Sequence, residues 1–138
     1  MTVGYSEPRV DVDEDATESQ ATTVNSVLHD LLRYEEILGA IAVSVDGLVI
    51  GSAGVEEEDA DFLSVLGSSL VGVAERSTRR IGAGSALSMS IVANDGMVTV
   101  RNAGSFALTI LSEQADASLV VTASQAALTE IATILNPI

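Results

Sequence analysis

Two Asp-Gly dipeptides, Asp46-Gly47 and Asp95-Gly96, each stand between two runs of alternating apolar residues. A tight two-residue turn needs positive φ, which Asp-Gly tolerates, so each dipeptide marks a β-hairpin. In the first, Ile41, Val43 and Val45 alternate with Ala42 and Ser44. Leu48, Val49 and Ile50 return the chain to Gly51-Ser52-Ala53-Gly54. In the second, Leu87, Met89 and Ile91 alternate with Ser88 and Ser90. Asn94-Asp95-Gly96 turns the chain, and Val98 and Val100 alternate with Thr99 and Arg101. Beyond Gly104, the alternation of Phe106, Leu108 and Ile110 predicts a fifth strand.

Helical spacing fills the intervals. Val24, Val27, Leu28, Leu31 and Leu32 form one apolar stripe, with Thr22 or Thr23 as N-cap and Glu35-Glu36 and Gly39 at the exit. Between the hairpins, Glu56-Glu57-Glu58-Asp59 opens a second helix, where acids favour the positive end of the helix dipole. Phe62, Leu63, Leu66, Leu70 and Val73 are its main stripe, which Val65, Val71 and Ala74 widen. An apolar arc this wide predicts two buried faces, one against the sheet and one against something else. Ser118 to Leu135 reads as a third helix, although Leu119-Val-Val-Thr favours strand locally, and Asn136-Pro137 stops it. Residues 1–20 are expected to be an acidic disordered tail, and residues 21–138 the folded domain.

Composition excludes much chemistry. The chain has no cysteine, so disulfides, thiolate metal sites and cysteine nucleophiles are absent, and a reducing cytoplasm is the natural compartment. All its basic residues are arginine. Without lysine there is no P-loop, Schiff base or lysine general base. A net charge of −14 opposes both nucleic acid and anionic membrane surfaces. No apolar run approaches the roughly 18 residues of a membrane span, so membrane insertion is not expected.

The order α-ββ-α-βββ-α, the segment Ile41-Ala-Val-Ser-Val-Asp-Gly-Leu-Val-Ile-Gly-Ser, the acid-led central helix and the second Asp-Gly hairpin together resemble the roadblock family. That family includes the roadblock-type dynein light chains and bacterial MglB-like proteins. The resemblance spans about residues 23–136. It implies an α/β (α+β) fold with a five-stranded, mostly antiparallel sheet and helices on both faces. It also implies a homodimer in which third strands pair and central helices lie side by side. Phe62, Leu66, Leu70, Val73, Leu87, Met89 and Ile91 would then form the dimer interface. The implied partner is a small Ras-like GTPase. Regulation would proceed through a site in that partner, or else the chain would be a scaffold joining a motor, cytoskeletal element or sensor kinase.

Other constellations argue against an enzyme. His29 sits beside Asp30, but neighbours one apart on a helix do not face each other. Gly82-Ala83-Gly84-Ser85 follows a helix rather than a strand, so it reads as a helix terminus rather than a phosphate loop. The carboxylates Glu56 to Glu58, Asp59 and Asp61 lack the turned-loop spacing of a cation site. No catalytic residue, metal site or cofactor is expected. Arg76, Arg79 and Arg80 remain as the candidate partner-binding cluster, and Arg101 reads as an isolated residue on a solvated strand face.

Overall fold

The structure, a computed structural model, describes residues 7–137, with residues 7–18 by backbone only. Its elements are α1 (Glu7–Leu31), β1 (Ile37–Ser44), β2 (Val49–Ala53), α2 (Glu57–Arg80), β3 (Ser88–Val92), β4 (Met97–Asn102), β5 (Phe106–Ser112) and α3 (Ala117–Leu135). They build one antiparallel sheet in the order β2-β1-β5-β4-β3. Helices α1 and α3 cover one face, and α2 crosses the other.

Helix α1 starts well before the expected Thr23. Residues 7–20, expected as disordered tail, are helical, while residues 1–6 lie outside the described part. Thr23 is therefore no N-cap. Its Oγ1 donates to Ser19 O one turn back, at 2.9 Å. The expected stripe does bury: Val24, Val27, Leu28 and Leu31 are in the core. Strand β1 also begins early, at Ile37, so Gly39 lies inside it at a register shift rather than at a helix exit.

Both hairpins form, but neither turn is centred on Asp-Gly. In the first, Gly47 N donates to Ser44 O at 3.0 Å and Ser44 N to Leu48 O at 2.9 Å. The loop is thus Val45-Asp46-Gly47, and Gly47, at φ 84°, occupies the left-handed position that closes a three-residue hairpin. In the second, Ala93 N donates to Gly96 O at 2.8 Å, which makes Asn94-Asp95 the central pair. Gly96 serves clearance instead: a Cβ there would lie 3.2 Å from Ser112 O.

The α1/α3 side holds the larger core. Val24, Leu28, Phe106, Leu108, Ile110, Val120 and Ile131 are almost fully buried within it. Burying each such side chain contributes roughly 1.5–3 kcal/mol. Asp116 caps α3, accepting from Ser118 N at 3.0 Å and Ser118 Oγ at 2.9 Å, and this settles the Leu119-Val-Val-Thr ambiguity in favour of helix. Those two bonds hold the Asp116 carboxyl below the usual carboxylate range.

Arg101 belongs to this side too, contrary to the solvated-face reading. It is 7% exposed. Its Nη1 donates to Val121 O and Ser124 Oγ, both at 2.8 Å, and its Nη2 donates to Gln125 Oε1 at 2.9 Å. Burial pulls its guanidinium below the ordinary arginine value, and among the described residues its Nε has no hydrogen-bond partner. Arg101 thereby ties β4 to α3. Helix α3 is itself long and apolar enough to cross a membrane, which the search for apolar runs overlooked. Here it lies on the sheet and α1, with Val120, Ser124, Ala127 and Ile131 buried.

Helix α2 meets the sheet through small side chains. Ala60, Ser64 and Gly67, one turn apart, are its buried residues. Ser64 Oγ lies 2.9 Å from Gly47 O and 2.7 Å from Asp61 O. A Cβ on Gly67 would collide with Thr109 Oγ1. The larger side chains Phe62, Val65 and Val73 point away from the sheet and are exposed. Gly67→Val should overpack this contact and cost roughly 1–3 kcal/mol, read as a lower urea midpoint at unchanged m-value.

Candidate functional site

The side of the molecule that carries α2 is left incomplete. Among the described residues, strand β3 bonds only to β4, so its outer backbone edge is open. The two faces of β3 differ chemically. Ser88, Ser90 and Val92 share the α1/α3 side with Arg101, Thr99 and Met97, their cross-strand partners. Ser90 Oγ and Thr99 Oγ1 lie 2.9 Å apart as a hydrogen-bonded pair. Met89 and Ile91, with Leu87 just before the strand, fall on the α2 side. Leu87 is 71% exposed, and Ile91 is also exposed.

Helix α2 continues this apolar surface. Phe62 is 67% exposed, Val65 and Val73 are exposed, and Leu66 and Leu70 are half-buried. Leaving one such side chain in water forgoes roughly 1.5–3 kcal/mol relative to full burial. Exposed apolar helix faces and open strand edges are both features that partners commonly cover. The expected interface residues thus share one side of the molecule, as two neighbouring groups, one on α2 and one at β3.

The C-terminal end of α2 carries the arginines. Gly82, at φ 76°, ends the helix: its N–H donates to Arg79 O at 3.1 Å, and Ala83 N donates to Thr78 O at 2.8 Å. This is a Schellman terminus, so the Gly82-Ala83-Gly84-Ser85 segment ends a helix. Arg76, Arg79 and Arg80 are exposed, but they do not act as one group. Arg79 is held by Glu75 at 3.1 Å. Among the described residues, Arg76 and Arg80 have no ion-pair partner in the chain. His29 is exposed on α1, and among the described residues no three acidic or histidine side chains converge as a metal site.

Residues 23–112 match the Roadblock/LC7 domain. The chain belongs to the Roadblock/LC7 family. An uncharacterised protein of Methanocaldococcus jannaschii is 32% identical over 90 residues, covering 65% of this chain and 79% of that protein. Among solved structures, a Roadblock/LC7 domain from Streptomyces avermitilis superposes with a TM-score of 0.75 at 22% identity, covering 80% of this chain and 96% of the other. Myxococcus xanthus MglB superposes with a TM-score of 0.74 at 19% identity, covering 85% and 98%. At these identities the likeness shows the shared fold. Roadblock domains form a family of regulators and adaptors.

Sequence reasoning overlooked one residue that shapes this roadblock domain's surface. Glu75, midway between the apolar face and the arginines, accepts from Ala86 N at 2.6 Å, Ser85 Oγ at 3.2 Å and Arg79 Nε at 3.1 Å. It ties the end of α2 to the start of β3, and so sets where the strand edge lies relative to the helix. Only the distant partners distinguish it from an ordinary helix-surface acid. The bond from Ala86 N, more than those from Arg79 and Ser85, holds its carboxyl below the usual carboxylate range. A depressed folded-state value means that stability is present above the unfolded carboxylate value and is lost as pH falls through the folded one. Urea titrations of wild type and Glu75→Gln should therefore show wild type more stable at neutral pH, with the difference closing on acidification below the ordinary glutamate range.

Proposed function

We propose that this chain is a homodimeric regulator or adaptor of a small Ras-like GTPase in the cytoplasm, with the nucleotide-hydrolysing site in the partner. The observation that carries the dimer is the apolar side formed by Phe62, Leu66, Leu70 and Val73 with Leu87, Met89 and Ile91, next to the open β3 edge. Pairing β3 with its copy gives that edge a hydrogen-bonding partner and brings a second α2 over the exposed residues. The opposite face of β3 carries Ser88 and Ser90, with Val92 as its one exposed apolar residue. Membership of a regulator and adaptor family and the resemblance to MglB-like proteins support the GTPase as partner. Arg76 and Arg80 are exposed basic positions on α2 with no ion-pair partner among the described residues of their own chain.

Met89→Arg places a charge where the two sheets would join. It should convert a dimer to monomer by light scattering, with unchanged far-UV circular dichroism. A dimer that persists at low protein concentration would sink this edge. Regulation is tested by pull-down from native lysate with the protein as bait, in excess GDP and then with a non-hydrolysable GTP analogue. A Ras-like GTPase should be enriched in one condition only. Equal recovery in both, or recovery of a motor, kinase or filament protein without a GTPase, would make the chain a structural adaptor.

A further inference from the structure

The exposed side of α2 is polar at both ends and apolar between them, and the two ends have opposite charge. Glu58 and Asp59 lie exposed in the first turn, Phe62, Val65 and Val73 in the middle, and Arg76 and Arg80 in the last turns. Among the described residues, none of these four charged groups has an ion-pair partner in its own chain. The acidic and basic ends are about 30 Å apart along the helix axis, too far to pair with each other across one helix.

We infer that the two ends pair between copies: the acidic first turn of α2 seats against the basic last turns of α2 in a second, antiparallel copy, and the reverse. This rests on the homodimer proposed above. A two-fold axis that pairs β3 antiparallel with itself also turns α2 antiparallel to its copy, because one operation moves both elements. In that orientation an acidic end meets a basic end twice in the dimer, once on each side of the axis. A parallel orientation would set acid against acid and arginine against arginine. Packed helices lie about 8–10 Å apart, comparable with the screening length of about 8 Å at physiological salt, so the ends interact directly once the apolar middles touch. The charges thus select orientation and register, while the apolar middle supplies most of the driving force. Arg76 and Arg80 thereby have a role that needs no third protein, whereas Arg79 stays with Glu75.

The test uses two variants of the full chain. Glu58→Arg with Asp59→Arg makes both ends of α2 basic. Arg76→Glu with Arg80→Glu makes both ends acidic. Each variant alone should dissociate at least roughly tenfold more readily than wild type by analytical ultracentrifugation, since several attractive pairs become repulsive at once. The first variant weakens association even though it lowers a net charge of −14, which rules out a bulk-charge effect. Glu130→Arg on α3, on the opposite face, should leave the dimer unchanged. Mixed in equal amounts, the two α2 variants should form a heterodimer in clear excess over both homodimers by native mass spectrometry, which also proves both variants folded. Variants that dimerise as tightly as wild type, or a mixture with no excess of heterodimer, would overturn the end-to-end pairing and leave the homodimer standing. A monomeric wild type would overturn both.

Discussion

The closeness of α2 to the sheet governs the rest of the molecule. Gly67 stands over Thr109 with no room for a Cβ, and Ala60 and Ser64 precede it on the same buried face. A helix this near has no space beneath it for Phe62 or Val65, so the large side chains must turn outward or along the sheet. The Ser64 hydroxyl, which reaches Gly47 O and Asp61 O, anchors the helix to the first hairpin. Glu75 fixes its other end to the start of β3. Tight packing on one side of α2 thus leaves the exposed apolar face on the other.

The opposite layer behaves differently. It buries the bulk of the aliphatic core under α1 and α3, and it closes over β4 through Arg101. A buried guanidinium bonded to neutral acceptors costs desolvation and is retained here as a clamp on α3. Its neighbours on β3 are Ser88 and Ser90, which leave that face of the edge strand content in water. The other face of β3 is more apolar, with Leu87, Met89 and Ile91 against Ser88, Ser90 and Val92.

Element order, strand alternation, the helical nature of residues 118–135 and the stripe from Val24 to Leu31 were all legible in the sequence, because period and turn chemistry are local properties. Which residues form each turn was not. Gly47 and Gly96 both follow an aspartate, yet one supplies positive φ and the other supplies clearance from Ser112, and only the neighbouring strand distinguishes them. The extension of α1 back to Glu7 was missed because an acidic, weakly apolar segment carries no stripe to read. Arg101 was misplaced because alternation along β4 says which residues share a face, not which face another helix covers.

The sequence by itself determined two antiparallel hairpins, a fifth strand, an over-wide apolar helix and an acidic chain whose permanent cations are all arginine. It also carried, in the charges at the two ends of α2, the pattern of a self-complementary helix. Tertiary structure alone decided which side of that helix is buried. Hydrophobicity ranks Phe62 and Leu66 as core above Ala60 and Gly67, but approach distance reverses the ranking, because at close range only small side chains fit against Thr109. Periodicity measures the angle of a side chain about the helix axis, and it contains no information about how near that axis comes to the sheet.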